Sequence, residues 1–313
     1  MQKEQFIEVV SKRLGEITGC EIAVNPVWKN NGIELTAVVI KRESNNIYPT
    51  IYIEPFYEVY KDGEDVEVLV ERMLELEMEA DLQNDFDASE FTDFNKVRDN
   101  VCFRLVNLEA NKELLESVPY KRVRNLVKIY YVDVENREFG TGSILIRNEH
   151  LEMWGISKKE LFRLADKNTE KNYPSTFMNM NVMLQELVKQ VFEESKESGE
   201  IPEGIELPEN VFISEYPMYV ATNNQRYYGA SVLVYDGLLE TIAEKLNDNV
   251  VIFLSSVHEF IFMSAKAARE CGDYDVLKNI VENINRTQVE PEEYLSDNVY
   301  YYNRDRKSLC IIS

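Results

Sequence analysis

Residues 21–41, EIAVNPVWKNNGIELTAVVIK, decide the fold: two apolar-rich runs, 21–28 and 33–41, flank Lys29-Asn30-Asn31-Gly32. Asn-Gly supplies the positive φ angles of a tight hairpin, so the spacing predicts two antiparallel strands. Upstream, Phe6, Val9, Val10, Leu14 and Ile17 recur at helical spacing between charges, which predicts an amphipathic helix and no secretory leader. Downstream, residues 50–53 follow Pro49 as a third strand and run into a short element near 56–60. Asp65 is placed to cap a helix carrying Val66, Leu69, Val70, Met73 and Leu74 on one face and acids on the other. Paired strands followed by helices, rather than strict β-α-β alternation, predict an α+β fold.

The same grammar continues to the end of the chain. Residues 81–100 are polar and irregular or weakly helical; then 101–106 reads as a strand, 108–116 as a short helix, and 123–134 with 140–147 as a long hairpin closed near Glu135-Asn136-Arg137. Asn148 or Glu149 opens a helical stretch, and Ser157-Lys158-Lys159-Glu160 fits a capping box for another. Leu184, Leu187, Val188 and Val191 mark an amphipathic helix, followed by the glutamate-rich loop 195–210, SKESGEIPEGIELPEN. Beyond it lie strands at 212–221 and 229–235, a helix at 237–246, the apolar run 250–254 and a strand near 259–263. Asp273 or Asp275 starts a helix with Val276, Leu277, Ile280, Val281 and Ile284, and short strands at 299–302 and 308–312 finish the chain. Residues 143–152 echo 231–240, with 50–58 as a weaker third version, which suggests recurring strand–strand–helix units. The expected organisation is two α+β lobes, 1–117 with the acidic helix and 118–313 with the acidic loop, built of mixed, mostly antiparallel sheets.

Charge narrows the partners. The formal net charge is −22. Glu54 to Asp93 holds fifteen acids against Lys61 and Arg72, and Glu193 to Glu209 holds seven against Lys196, leaving the remainder close to neutral. Phosphate binding needs a concentrated basic surface, so direct contact with nucleic acid is not expected, and neither is adhesion to an anionic membrane. No run of about 18 apolar residues offers a membrane span. Cys20, Cys102, Cys271 and Cys310 lie far apart with no CxxC pair, which predicts free thiols and a cytoplasmic setting.

Motifs for chemistry are few. Gly140-Thr141-Gly142 begins a dinucleotide fingerprint but lacks its third glycine and sits at a hairpin. Residues 85–96, DFDASEFTDFNK, imitate a calcium loop but place Glu90 where glycine is needed and Lys96 where a bidentate glutamate belongs. The two histidines, His150 and His258, support no zinc motif. Neither a metal nor a cofactor is expected. Ser255-Ser256-Val257-His258-Glu259 follows the apolar run and places a hydroxyl, an imidazole and a carboxylate at a strand end, the residue types of nucleophilic catalysis. No GxSxG elbow accompanies it, and a polar turn between buried strands is the competing reading. Asn223 and Asn224 sit in a turn between strands that could line a groove, Arg286 suits a helix carboxyl end, and Tyr300 and Tyr302 share a face that Tyr301 does not.

Four groups of segments carry a resemblance: PTIYI at 49–53 with Phe56-Tyr57; FRLVN at 103–107; IRNEHL at 146–151 with Trp154-Gly155; and Asn285-Arg286-Thr287 with Leu295-Ser296-Asp297. Together they resemble an uncharacterised bacterial family, domain of unknown function 5688, over almost the whole chain. More distantly, residues 123–263 are similar to the uncharacterised YtpQ-like family, whose Asp-Gly-Tyr-Asp-Ala-Ser segment is echoed by Tyr228-Gly229-Ala230-Ser231 without its acids. Neither resemblance implies an activity; both imply a bacterial cytosolic protein.

The expected function is therefore binding of another protein, one with a basic surface, rather than catalysis. Glu67, Glu71, Glu75 and Glu79, spaced four apart on the acidic helix, are the contact candidates. Two alternatives stand beside it. One is an acidic mimic of nucleic acid that occupies a defence or regulatory protein. The other is a hydrolase or transferase using Ser255 or Ser256 with His258 and Glu259.

Overall fold

The computed structural model describes residues 1–42, 48–81, 88–136, 140–198 and 216–312. They form two compact units that interleave along the sequence. The first comprises Met1–Cys102, Ala110–Pro119 and Tyr130–Leu164; the second comprises Phe103–Glu109, Tyr120–Ile129 and Ala165–Ser313. The boundary expected between residues 117 and 118 falls inside the segment Ala110–Pro119 of the first unit. The architecture is α+β with antiparallel sheets.

The first unit opens with helix α1 (Lys3–Thr18), then strands β1 (Glu21–Trp28) and β2 (Glu34–Lys41), paired antiparallel with Val24 opposite Val38. The connection takes the conformation the sequence called for: Asn31 has φ 60° and Gly32 φ 69°. Strand β3 (Ile51–Tyr52) is shorter than expected, because Ile53 already begins helix α2 (Ile53–Lys61). Pro55 explains the early switch: it cannot donate to a ladder but is tolerated in a first helical turn. Helix α3 (Val66–Asp81) follows, with Asp65 accepting from the Glu67 N–H at 2.8 Å as an N-terminal cap. Phe6, Val10 and Leu14 of α1, Val38 and Ile40 of β2, and Leu69, Val70 and Met73 of α3 share one core cluster. Each such side chain contributes about 1.5–3 kcal/mol on burial, which holds three helices against a three-stranded sheet. A short helix α4 (Phe94–Val97) is capped by Asp93.

In the middle of the chain, β4 (Val101–Asn107) is buried at every position and α5 (Lys112–Ser117) follows. The single strand expected over 123–134 is two strands, β5 (Tyr120–Val123) and β6 (Leu126–Asn136), in register from Tyr120 opposite Ile129 to Val123 opposite Leu126. They turn at Arg124-Asn125, where Arg124 carries the positive φ of 60°. No glycine announces that turn, which is why the pattern reads as one strand. Strand β7 (Gly140–Leu145) pairs with the far half of β6, Tyr131 opposite Leu145. Helices α6 (Asn148–Trp154) and α7 (Lys158–Asn172) come next, the Ser157 hydroxyl accepting from the Glu160 N–H at 3.2 Å.

The rest of the second unit is β8 (Ser175–Asn179), α8 (Met180–Glu197), β9 (Tyr219–Asn223), α9 (Leu238–Leu246), β10 (Val250–Phe253), β11 (Phe260–Ser264), α10 (Ala265–Cys271), α11 (Tyr274–Gln288), β12 (Val299–Asn303) and β13 (Ser308–Ile311). Six of these strands make an antiparallel sheet in the order β13-β12-β10-β11-β9-β8. Val251, Phe253, Met263, Ala265, Ala268, Leu277, Val281 and Val299 pack as one cluster. Tyr300 and Tyr302 are buried on one side of β12, and Tyr301 faces the other way, as strand alternation requires. The strand expected at 229–235 is a correction: Gly229–Val234 is a 3-10 helix with five consecutive buried residues. A fully buried apolar run has no periodicity to distinguish strand from helix. Residues 143–152 run from β7 into α6 and residues 231–240 from this 3-10 helix into α9, so the two stretches share the step into a helix but not the strand before it. Among the described residues, no helix is long and apolar enough to cross a membrane.

Candidate functional site

His258 sits in the connection between β10 and β11, a turn held in place by its neighbours' backbone. The Val257 N–H donates to the Glu293 carbonyl at 2.8 Å and the Leu295 N–H to the Ser255 carbonyl at 2.9 Å. Ser256 is buried, and its hydroxyl accepts from the His258 N–H at 3.1 Å. The Thr222 hydroxyl donates to the His258 carbonyl at 2.7 Å. These bonds spend the local polar groups on the turn itself.

The imidazole looks away from the serines. Its Nδ1 accepts from the Tyr228 N–H at 3.3 Å. A ring nitrogen that accepts a backbone N–H carries no proton, so in the neutral ring the proton resides on Nε2. That nitrogen lies 3.2 Å from Glu293 Oε1 and donates to it. Among the described residues, no hydrogen bond joins the hydroxyl of Ser255 or Ser256 to this ring. The four neighbours Ser255, Ser256, His258 and Glu259 share a turn but do not form a nucleophile–base pair. Glu259 is held above the ordinary carboxylate range by burial, opposed by the nearby His258.

What surrounds His258 comes from remote segments that the sequence reading assigned to no site. The Tyr227 and Tyr228 rings lie 5.6 Å and 5.7 Å from the imidazole. The Arg104 guanidinium, from buried β4, lies 4.4 Å from the Tyr228 ring centre and 5.2 Å from that of Tyr227. Burial raises the Tyr228 phenol, with Arg104 pulling against it. The loop that presents these rings is built by Asn223, which is buried: its Oδ1 accepts from the N–H groups of Gln225 and Tyr227, and its Nδ2 donates to the Tyr227 carbonyl at 2.9 Å. Arg226 and Tyr228 take positive φ angles of 54° and 49°, a strain that persists only where surrounding bonds over-determine it. Gly229 completes the turn, because a Cβ there would meet Thr222 Oγ1 at 2.0 Å. Asn223 is therefore a scaffold of the loop, while Asn224 is exposed on it, its N–H donating to the Pro174 carbonyl at 3.0 Å. Arg286 is exposed near the end of α11 and reaches Asn283.

A second buried polar cluster gathers around Ser296, which has no exposed surface. Asn125 donates to its hydroxyl at 3.1 Å, Tyr300 lies 2.9 Å from it, and Asn285 donates to its carbonyl at 3.0 Å. Burial pushes the Tyr300 phenol up to about 12. These bonds fix chain segments to one another, although one acceptor of the cluster, Asn285 Oδ1, is buried without a hydrogen-bond partner.

The candidate acids of α3 divide in two. Glu67 is engaged by Arg13 through two bonds of 2.7 Å, which hold its carboxyl below the usual range. Glu77, only 1% exposed, is gripped by Arg42 at 2.8 Å and 2.7 Å. Glu71, Glu75 and Glu79 are exposed and, among the described residues, make no ion pair. Beside them Leu76 and Met78 stand 51% and 57% exposed, with Val68 at 36%. Lys96 and Glu90, from the calcium-like stretch, pair with each other at 2.9 Å. Its first residues, 85–87, and residues 199–210 of the acidic loop lie outside the described residues. Among the described residues no group of three His, Cys, Asp or Glu is placed to hold a metal.

Comparison with known proteins places this geometry in a family rather than in a reaction. The model of a family of unknown function (DUF5688) matches residues 3–304. No curated protein and no solved structure matches the chain.

Proposed function

We propose, for a chain that belongs to this family of unknown function, a role in binding another protein through the outer face of α3. The observation that carries it is the contrast within one helix. Glu67 and Glu77 are absorbed by Arg13 and Arg42, whereas Glu71, Glu75 and Glu79 face solvent beside Val68, Leu76 and Met78. Unpaired like charges at i,i+4 spacing repel, and exposed apolar side chains gain from being covered. A partner that places Lys or Arg opposite the carboxylates and an apolar ridge over Leu76 and Met78 relieves both. The partner class is thus a basic amphipathic segment, steered by the net charge of −22. A reducing cytoplasmic setting belongs to this reading, supported by four free cysteines.

Mimicry of nucleic acid would use the same carboxylates, but phosphate-binding grooves have no use for Leu76 and Met78. The test separates the two. Wild-type protein, E71Q/E75Q/E79Q and L76S/M78S serve as baits in bacterial lysate at low and high salt, read by quantitative mass spectrometry. A partner retained by wild type and reduced roughly tenfold on both variants supports the reading. Partners lost on the charge variant alone, and displaced by added DNA, turn it into mimicry. The same proteins retained by all three baits overturn both.

A further inference from the structure

The second unit carries a cleft of about 650 Å³ whose lining includes Lys121, Lys128, Asp166, Glu170, Tyr235 and Tyr302. That volume is within the range of small-molecule sites. Lysine side chains normally keep their ammonium in water, and Lys128 does not: its side chain is 7% exposed. The Lys128 ammonium donates to Asp166 Oδ1 at 2.7 Å and lies 3.8 Å from the centre of the Phe103 ring. Lys121 approaches the other oxygen of the same carboxylate at 3.8 Å and is half exposed. Two lysines therefore share one carboxylate, one inside and one at the surface.

We infer that Lys128 is an amine nucleophile, and that the cleft takes a small aldehyde or ketone bearing a phosphate or carboxylate group. Lysines used for imine formation need a neutral amine near neutral pH, obtained by desolvation and a neighbouring cation. Both are present. Burial lowers the Lys128 pKa, Lys121 adds to the lowering, and Asp166 opposes it. The step balances without a co-reactant. The Lys128 ammonium passes one proton to Asp166, and the freed amine attacks the carbonyl carbon. Asp166 returns the proton to the departing oxygen of the carbinolamine, so that an ammonium and a carbonyl become an iminium and one water. Lys121, with a charge that Asp166 only partly answers, is the positioning residue for the ligand's anionic group. Lys307 on the same lining is committed to Glu240.

Reductive trapping decides the matter, because the bland role predicts the opposite ordering. A lysine buried only for structure is the slowest in the chain to react, whereas an imine-forming lysine is the fastest. Folded wild-type protein is treated with pyridoxal 5′-phosphate, an aldehyde carrying a phosphate, reduced with borohydride and mapped by mass spectrometry. Lys128 is expected to label faster than the exposed Lys12 and Lys189, because its lowered pKa leaves more of it as neutral amine. K121M is expected to slow labelling of Lys128 by both reagents, because a neighbouring cation is lost, and to slow pyridoxal phosphate more than propanal, because only the former carries the anionic group that Lys121 holds. Labelling of Lys128 that is slower than or equal to that of Lys12 and Lys189 overturns the proposal. Equal slowing of both reagents in K121M, or of neither, overturns the role given to Lys121.

Discussion

Helix α3 in the first unit and the His258 turn in the second handle polarity in opposite ways. On α3, three carboxylates point to water, and the helix is fastened by ion pairs at Glu67 and Glu77 with apolar packing between them. Around His258, the polar groups point inward, and Ser256, Thr222, Asn223 and the imidazole spend their bonds on the fold. Chemical variety is therefore a poor guide to availability. The richer cluster, with serine, histidine, glutamate and tyrosines, is committed to shaping a turn, and the monotonous one is open to solvent. Buried polar groups must be satisfied internally or cost free energy, so a serine–histidine–glutamate run in a buried turn serves the backbone first.

The sharpest way to break this contrast is at Gly229. A Cβ there would meet Thr222 Oγ1 at 2.0 Å, the His258 carbonyl oxygen at 2.4 Å and the Asn223 nitrogen at 2.8 Å, two of them backbone atoms that cannot swing aside. G229A should destabilise the protein by about 3 kcal/mol or more, seen as a large fall in the denaturation midpoint. A near-native midpoint would mean that the turn is not the rigid scaffold described. Next in size is the inner end of α3. R42A leaves the buried Glu77 carboxylate without its cation, and loss of one partner of a buried pair costs about 3 kcal/mol. Because Arg42 is itself one-third exposed, the measured loss should fall at or below that figure, and E77Q should cost less than R42A.

These two predictions also show where sequence reasoning held and where it stopped. The hairpin at Asn31-Gly32, the cap at Asp65 and the apolar face of α3 were legible, because each is a local rule written in adjacent residues. The strand break at Arg124 was not, since an arginine in the left-handed region is chosen by its surroundings. Gly229–Val234 was misread because burial on all sides erases periodicity. At the candidate site, His258 and its turn were legible, but Glu293, Tyr228 and Arg104 were not. Their contacts join positions 30 or more residues apart, through sheet pairing that no single stretch encodes. The same limit hid Lys128: nothing in its own segment says that residue 166 will face it.

A smaller effect tests the inward-facing side through pH. Glu259 binds its proton more tightly in the folded protein than at the unfolded value of 4.5, so it contributes stability below that pH. The contribution is lost as pH rises through the raised folded value. Replacing the carboxyl by an amide removes the cost of ionising it in place. E259Q should therefore gain stability relative to wild type as pH climbs from 4.5 toward neutrality, in paired melts across that range. A difference that stays flat with pH would show Glu259 to be as well solvated as any surface acid.

The smallest expected effect bears most directly on what the acidic face is for. Glu71 with Glu75, and Glu75 with Glu79, are like-charge neighbours at i,i+4, each pair costing about 0.2–0.5 kcal/mol at low salt. E71Q/E75Q/E79Q should be slightly more stable than wild type in urea titrations at low ionic strength. The gain should fade near 1 M salt, where screening shortens to about 3 Å. Acids retained for folding would behave the other way, their removal lowering the midpoint. A variant that folds better and holds its partner worse separates the two purposes, since destabilisation cannot then explain the lost binding. If the variant is less stable, the three glutamates belong to the architecture of α3, and the contrast with the His258 turn collapses into one principle of satisfied polarity throughout.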